Sequence, residues 1–279
     1  MNAPLYENLL AGYAKNGFTS AQPLLTADEV LEFRGQAEHW DKLLDLMHSD
    51  YRCKSQVLFN WVWRLSNHPK LLQYVCALLG DDFACWDAMM WFKKAGDEKY
   101  VSPHQDGTYW NFQPKAGLTA WVALTDSTEQ SGCVRYYAGT HLHAVPHSDK
   151  KHRNNLLMRG QTANLSTVAQ DNPVEVTVPA GHVVLHHPLV IHGSGPNNSD
   201  VDRLAVGLIY ITPEAVPILD YGQESVTNVY GRRNPRVTVD PSPVCDMGRH
   251  EFIAWQRAYD QQHANYYKLT QSIEQGDAQ

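Results

Sequence analysis

Three residues have the types and spacing of a set of metal ligands. His104 and Asp106 are separated by one residue, and His192 ends a later apolar run. Because side chains alternate along a strand, a His-x-Asp pair on a strand presents an imidazole and a carboxylate on one face. A second, distant imidazole would place two nitrogens and one oxygen around a metal and leave its other positions open. This donor set is typical of non-haem Fe(II) oxygenases, so the pattern predicts an iron oxygenase.

Other histidines lie close to His192 in the sequence. His186 and His187 precede it in the same apolar run, and His182 stands where the run begins. We favour His192 because the glycine after it allows a ligand close access and because a serine and an arginine follow. The histidines within 141–152 have no convergent spacing, so we expect them to be loop residues.

An arginine follows the second histidine at the start of an apolar segment. Arg203 precedes Leu204-Ala-Val-Gly-Leu-Ile209, in which no acidic residue occurs. A guanidinium on an apolar strand is costly unless it is paired. The carboxylate of a bound co-substrate would pair with it bidentately. The alternative is a surface arginine beside Asp202.

The elements that must position these residues change in type along the chain. Thr26-Ala-Asp-Glu29 is a capping-box pattern and predicts a helix running towards Met47. Pro69 and Gly80 bound a second predicted helix, and an amphipathic helix is predicted at about 249–269. From about Phe83, short apolar or alternating runs predict strands at 86–93, 100–106, 118–125, 133–138, 174–178, 182–187 and 203–211.

These elements predict a mainly β fold with flanking helices. We expect a single domain over 1–279, with a helical part at about 1–80, a β-sandwich or jelly-roll core at about 83–215 and the C-terminal helix outside it. The polar stretch 141–172 is expected to be a long loop, which is often a functional lid.

Composition narrows the classes of partner. The formal net charge of −7 argues against a general nucleic-acid or anionic-membrane binder. No apolar run is long enough to span a membrane, and the N-terminal residues lack a signal-peptide pattern. The five cysteines are widely spaced without a C-x-x-C pair, as expected of reduced thiols. We therefore expect a cytoplasmic protein, monomeric or homodimeric, that acts on a small molecule.

Several motifs occur together between about residues 86 and 211. They are His104-Gln-Asp-Gly-Thr-Tyr-Trp110, Thr119-Ala-Trp121-Val-Ala-Leu124, Gly132-Cys133, Ala138-Gly-Thr-His141 and His192-Gly-Ser-Gly-Pro-Asn197. In this combination the chain resembles the phytanoyl-CoA dioxygenase (PhyH) family. The resemblance implies a cupin-like double-stranded β-helix, or jelly roll, with Fe(II), 2-oxoglutarate as co-substrate and O2.

The resemblance also implies roles for particular residues. His104, Asp106 and His192 match the metal ligands, here called the triad. The co-substrate residues implied are Arg203 on the distal carboxylate of 2-oxoglutarate, Ser194 as its hydroxyl partner, Trp121 lining the pocket, and Met89 and Lys54 as further candidates. Lys93 stands where the family often has a lysine before a Pro-Gly turn, but Ala95 departs from that pattern. An intact Asp106 predicts hydroxylation, because the halogenases of this class lack the carboxylate.

The substrate side is predicted from polar and aromatic residues around the triad. The candidates are Tyr109, Trp110, Asn111, Arg135, Tyr137 and Asn197. Aromatic faces can hold cations, and the polar groups could hold an anionic head group. We therefore expect hydroxylation of a small polar or zwitterionic metabolite (an amino acid, a betaine or an aminophosphonate), with release of succinate and CO2. An acyl-CoA hydroxylase of the same family is the alternative. Its candidate site for the phosphates of coenzyme A is the charged loop segment Lys150-Lys-His-Arg153.

Two further classes stay open at this point. One is a metal-dependent hydrolase or isomerase on a cupin-like barrel, which would need neither Arg203 nor Ser194. The other is a binding module with a structural metal, which would close the ligand set with His182 or His187 as a fourth ligand.

Overall fold

A computed structural model of the chain describes residues 3–44, 49–168, 173–218 and 224–275. The α-helices in these ranges are α1 Ala3–Asn16, α2 Ala27–Leu44, α3 Ser55–Leu58, α4 Asn60–Ser66, α5 Pro69–Leu79 and α6 Arg249–Gln275. The strands are β1 Gln22–Pro23, β2 Phe83–Lys93, β3 Val101–His104, β4 Phe112–Gln113, β5 Gly117–Ala123, β6 Val134–Tyr137, β7 His147–Asp149, β8 Gln161–Ala163, β9 Val174–Val176, β10 His182–His186, β11 Ile191–Ser194, β12 Arg203–Ile211, β13 Val216–Pro217, β14 Ser225–Tyr230 and β15 Thr238–Val239. No helix in the described ranges is both long and apolar enough to cross a membrane.

The predicted start of α2 and both predicted ends of α5 are confirmed. Glu29 Oε2 accepts the Thr26 N–H at 2.8 Å, and Thr26 Oγ1 accepts the Glu29 N–H at 3.3 Å, which is the reciprocal capping box at the start of α2. The predicted end of this helix near Met47 lies outside the described residues. Pro69 is the first residue of α5, and Gly80 ends it with a φ of 81° that a glycine adopts without strain.

The strand predictions are correct in place but not in every boundary. β3 ends at His104, and Asp106 begins a 3₁₀ turn, Asp106–Tyr109, instead of continuing the strand. The Gly107 N–H donates to Pro188 O at 2.8 Å, so the chain leaves the sheet there. The expected long loop at 141–172 is wrong in part, because β7 and β8 pair antiparallel within it, and its last four residues, 169–172, lie outside the described ranges.

The chain divides into two compact units. Unit 1 contains Met1–Asp41, Trp91–Thr108 and Thr119–Gly207. In it, strands run in the order β1-β10-β5-β12-β2 in one sheet and β3-β11-β6-β9 in a second sheet. A buried cluster joins residues of the first sheet (Trp121, Val184) to residues of the second (Val134, Tyr136), so the two sheets pack face to face. Unit 1 is therefore a two-sheet sandwich.

Unit 2 contains Lys42–Met90, Tyr109–Leu118 and Leu208–Gln279. Its strands run in the order β12-β2-β14-β15, and β4 pairs with β13. Its core is a cluster of aromatic and aliphatic side chains that includes Trp86, Trp110 and Phe112. α3 packs against α6, which extends beyond its predicted end at 269. The mainly β class with flanking helices is confirmed, whereas the single-domain organisation over 1–279 stays a prediction.

Candidate active site

The two triad histidines face each other across neighbouring strands of unit 1. His104 on β3 and His192 on β11 are antiparallel partners, and their ring centroids lie 4.4 Å apart. Gly193 makes this pairing close, because a Cβ there would lie 2.7 Å from Val101 O. Both side chains are almost completely buried.

Hydrogen bonds to the backbone set the tautomer of both imidazoles. His104 Nδ1 lies 2.9 Å from Ser102 O, and His192 Nδ1 lies 3.1 Å from Val190 O. A carbonyl oxygen only accepts, so each Nδ1 carries the proton and each Nε2 presents a lone pair. The two lone pairs are those that a metal ion would use, and the carbonyls fix the orientation of the rings.

Asp106 completes a convergent group of three acceptors. Its Oδ1 lies 3.1 Å from His104 Nε2 and 3.6 Å from His192 Nε2. Ligands at right angles on an ion with bonds of 2.0–2.2 Å are about 3 Å apart, so these separations suit one metal ion. In the neutral tautomers, no proton is available between the three atoms, and a cation among them would remove their repulsion. Among the described residues, the triad is the one His/Cys/Asp/Glu group whose ligand atoms all lie within 4.8 Å.

The protonation states of the triad also favour a cation. Burial lowers the pKa of His192 to about 3, although the Asp106 carboxylate opposes this. Burial by itself would raise the pKa of Asp106, but His192, His104 and His186 together hold it well below its usual range. At neutral pH the carboxyl group of Asp106 is therefore ionised and the imidazole of His192 is neutral, the states in which both groups bind a divalent metal.

The competing histidines occupy other positions. His186 lies beside the triad, with its Nε2 3.3 Å from Asp106 Oδ2, but it is not a member of the convergent group. His187 faces away and packs its ring 5.4 Å from that of His141. His182 Nδ1 lies 3.3 Å from Ala180 O. The fourth ligand considered for a closed structural site, His182 or His187, is thus absent from the group.

Two buried basic groups lie in the same unit. Arg203 is 2% exposed, with NH1 donating to Gly132 O at 3.0 Å and its guanidinium carbon 5.4 Å from the centre of the Trp121 ring. Its Nε is buried and without a partner. Lys93 is 0% exposed and donates to Ser194 Oγ at 2.7 Å. Neither forms an ion pair with a described residue, so the surface-arginine alternative is wrong.

This pair fits the distal carboxylate of 2-oxoglutarate. A buried cation without an anion is strongly unfavourable, and a carboxylate would supply both the charge and the acceptor that Arg203 Nε lacks. Burial lowers the pKa of Arg203 to about 10, which keeps it charged at neutral pH. Ser194 and Trp121, the other implied co-substrate residues of unit 1, contact Lys93 and Arg203 respectively.

The two remaining co-substrate candidates belong to unit 2. Lys54 is fully buried, and its ammonium donates to Trp86 O and to Ser225 O at 2.9 Å. Met89 is half-buried on β2. Their co-substrate role stays a prediction.

The substrate candidates have partners within their own units. Arg135 pairs with Glu175, and Asn197 donates to Lys93 O and Val201 O while its oxygen accepts from Ser199. Both amide ends of Asn197 are thus used in holding the turn after β11. Tyr137 lies in a small apolar cluster of unit 1 with Ala163 and Ile191. Their roles towards a substrate stay predictions.

In unit 2, the candidate Asn111 contacts a buried carboxylate that the sequence analysis missed. Glu224 accepts from Asn111 Nδ2 at 3.1 Å, from Asn265 Nδ2 at 2.7 Å and from Trp86 Nε1 at 2.9 Å. Trp110 packs edge to face on Trp86, and Tyr109 lies with its ring centroid 5.9 Å from that of Tyr266. No local pattern marks Glu224, because its partners come from three distant segments.

The site also contains contacts to Asp106 that sequence reasoning did not find. Thr119 Oγ1 donates to Asp106 Oδ2 at 3.0 Å, and His186 lies on the same oxygen. Thr119 was part of a recognised motif, and His186 was considered only as a rival ligand. Their shared position becomes visible only when β5 and β10 are paired.

The family model of phytanoyl-CoA dioxygenase (PhyH) matches residues 13–205, which include the triad, Ser194 and Arg203. The chain belongs to the phytanoyl-CoA dioxygenase family. The family is one of dioxygenases, and a relative of this chain is named as alpha-ketoglutarate-dependent, which supports the expected class of non-haem iron oxygenases that use 2-oxoglutarate.

Individual relatives cover most of the chain at low identity. Peroxisomal phytanoyl-CoA dioxygenase of Bos taurus is 25% identical over 222 residues, which are 70% of this chain and 65% of that protein. The chain thus spans just under two thirds of the bovine protein. A probable alpha-ketoglutarate-dependent hypophosphite dioxygenase of Stutzerimonas stutzeri is 26% identical over 234 residues, 78% of this chain and 76% of that protein.

Among solved structures, the non-haem monooxygenase ThoJ in its apo form is similar over 95% of this chain and 99% of its own, with a TM-score of 0.82 and 25% identity. This similarity and the two-sheet sandwich of unit 1 confirm the expected jelly-roll fold.

Proposed function

We propose that the chain is an Fe(II)- and 2-oxoglutarate-dependent dioxygenase that hydroxylates a small polar or zwitterionic metabolite. The observation that carries the proposal is the presence, in one compact unit, of a convergent triad and of two buried basic groups that form no ion pair with any described residue. Bound iron and 2-oxoglutarate would supply the oxidising chemistry, with succinate and CO2 as the by-products.

In unit 1, one set of residues would bind the metal and a second set would bind the co-substrate. His104 Nε2, His192 Nε2 and Asp106 Oδ1 would hold the metal from one side, which leaves the opposite side open. Arg203 would pair with the distal carboxylate, with the Lys93–Ser194 pair beside it and Trp121 packed on the guanidinium. Because Asp106 supplies a carboxylate at the position that halogenases leave to halide, we assign hydroxylation to the site.

Two observations bear on the choice between a small polar substrate and an acyl-CoA. The Stutzerimonas relative is named for hypophosphite, a small anion. The run Lys150–Arg153, the candidate site for coenzyme A phosphates, is exposed throughout. The bovine relative is named for an acyl-CoA, so an acyl-CoA thioester belongs among the substrates tested. The cytoplasmic location and the monomeric or homodimeric state stay predictions.

A substrate panel tests the proposal directly. The protein is loaded with Fe(II) without oxygen, mixed with 2-oxoglutarate and one candidate (an amino acid, a betaine, an aminophosphonate, hypophosphite or an acyl-CoA), and then exposed to air. Succinate and the oxidised product are measured together. Equal amounts of both, for a small polar compound, support the proposal.

Controls separate the rival activities. Arg203→Met is compared with Arg34→Met, in which the lost arginine is half-exposed and pairs with Glu38 on α2. At a 2-oxoglutarate concentration that half-saturates the unaltered protein, succinate formation is expected to fall only in Arg203→Met. Coupled turnover with the acyl-CoA alone would overturn the substrate class. Turnover without oxygen consumption would overturn the dioxygenase and favour the hydrolase or isomerase.

A further inference from the structure

His186 lies in a hydrogen-bonded chain that ends on Asp106. The hydroxyl of Tyr136 lies 3.1 Å from His186 Nδ1, and His186 Nε2 lies 3.3 Å from Asp106 Oδ2. Tyr136 is 0% exposed and His186 is 1% exposed, so water does not compete for these bonds. Neither Tyr136 nor His186 is a triad residue, so the metal site alone assigns no function to these two hydrogen bonds.

The direction of the bonds follows from the chemistry of the groups. A carboxylate only accepts, so His186 Nε2 must carry the proton that points at Asp106. In the neutral imidazole Nδ1 is then an acceptor, and the Tyr136 hydroxyl donates to it. Tyr136 therefore selects the tautomer of His186 that can hold the carboxylate.

The residues of this hydrogen-bonded series, Tyr136, His186 and Asp106, are held by both sheets of unit 1. His186 and Thr119, the two donors to Asp106 Oδ2, are antiparallel partners on β10 and β5. Tyr136 and His192 are antiparallel partners on β6 and β11, and their rings stack at 5.8 Å. Tyr136 is further fixed by Phe18, whose ring stacks on it at 4.4 Å.

The two oxygens of Asp106 consequently have different surroundings. Oδ2 receives Thr119 Oγ1 and His186 Nε2, whereas Oδ1 faces the lone pairs of His104 and His192. Asp106 needs this support because it stands on a 3₁₀ turn after β3 has ended, outside the ladder that orients His104.

We propose that His186, oriented by Tyr136, is a positioning residue that holds Asp106 with Oδ1 directed at the metal position. The proposal rests on the triad as the metal site. It goes beyond the proposed function because it assigns the third histidine to the geometry of the carboxylate and not to the metal. Groups that orient a metal ligand in this way typically contribute 10–100-fold to metal affinity.

Co(II) binding to the protein without iron measures this role independently of turnover. The affinity is determined by calorimetry, and the visible absorption of bound Co(II) reports its ligand geometry. We expect His186→Phe to weaken binding by about 10–100-fold and to alter the spectrum. His186→Gln keeps an N–H donor and should recover part of the affinity. His187→Phe is the matched control, because the His187 ring packs against His141. We expect the His187→Phe protein to bind Co(II) as the unaltered protein does.

A double substitution tests whether Tyr136 acts through His186. Tyr136→Phe removes only the hydroxyl, and we expect a loss of several-fold in the normal background. In the His186→Phe background the same change should add nothing, because the acceptor is already gone. Additive losses would overturn the link between the two residues. If His186→Phe does not fold, the Co(II) affinities of Tyr136→Phe and His186→Gln still test the proposal.

Two outcomes would overturn the assignment of His186. Unchanged affinity and spectrum in a folded His186→Phe protein would show that Asp106 needs no support from it. Loss of all Co(II) binding in both His186 variants would make His186 a ligand. His104→Ala distinguishes failure of the proposed function, because undiminished Co(II) binding in that variant would remove the triad itself.

Discussion

The most quantitative prediction concerns Lys93, which is completely buried next to a second basic group. Burial and then the charge of Arg203 lower the pKa of Lys93 to about 6. Lys93 in the folded chain without co-substrate is therefore about one-tenth protonated at pH 7, whereas the unfolded chain keeps its lysine fully protonated with a pKa near 10.4. Folding must then release about 0.9 proton from this one side chain.

The release makes the free energy of unfolding depend on pH with a known sign. The unfolded state binds more protons, so stability increases as the pH increases between the folded pKa and the unfolded one. Between pH 7 and 8 the contribution of Lys93 is about 1.3 kcal/mol per pH unit. Lys93→Met removes the ionisable group and keeps an unbranched side chain of similar length, so it should lose this slope.

Urea denaturation of the metal-free protein at several pH values provides the measurement. The difference in unfolding free energy between Lys93→Met and the unaltered chain should shrink by about 1.3 kcal/mol from pH 7 to pH 8. Addition of 2-oxoglutarate should then return a proton to Lys93, which calorimetry detects as a dependence of the binding enthalpy on the buffer. A constant difference across this pH range would refute a neutral buried lysine. Absence of proton uptake would refute only its contact with the co-substrate.

Three further predictions concern the triad and its surroundings. Replacing any triad residue by alanine should abolish turnover and Co(II) binding together, as seen by activity assay and calorimetry. Arg203→Ala should mainly raise the concentration of 2-oxoglutarate needed for half-maximal rate, and an unchanged requirement would contradict its assignment. Gly193→Ala should lower both the melting temperature and metal affinity, because its Cβ would lie 2.7 Å from Val101 O. Gly35→Ala on the exposed surface of α2 meets nothing within 4 Å and should stabilise the fold by about 0.5–1 kcal/mol, which makes it the control.

Much of the site could be predicted because its signals are local. His104 and Asp106 are two residues apart, and His192 ends a strand-like run with a glycine after it, so type and spacing were sufficient. The reason offered for the pair was wrong in detail, since Asp106 lies on a 3₁₀ turn and not on β3. A two-residue spacing brings the side chains together in either conformation, so the same residues converge with His192.

The contacts that were missed depend on pairing between distant strands. His186 and Thr119 meet because β10 and β5 are neighbours, and Glu224 meets Asn111 and Asn265 across segments far apart in the sequence. The shortest strands carried no periodicity to detect; β1, for example, contains two residues and is defined by its pairing with β10. Tertiary pairing, not local preference, decides these features.

Lys93 shows most clearly why a functional group can be hard to recognise from sequence. Ala95 broke the expected family pattern after it, and a lysine at a strand end would ordinarily be exposed. In the folded chain it is buried beside Arg203, a combination that destabilises the chain unless an anion is bound. A ligand present at 100 times its dissociation constant stabilises the fold by about 2.7 kcal/mol, enough to offset about half of the cost of neutralising such a lysine at pH 7. We propose that local rules are violated here because the carboxylate that would pair with Arg203, and with Lys93 once it is protonated, belongs to the co-substrate and not to the polypeptide.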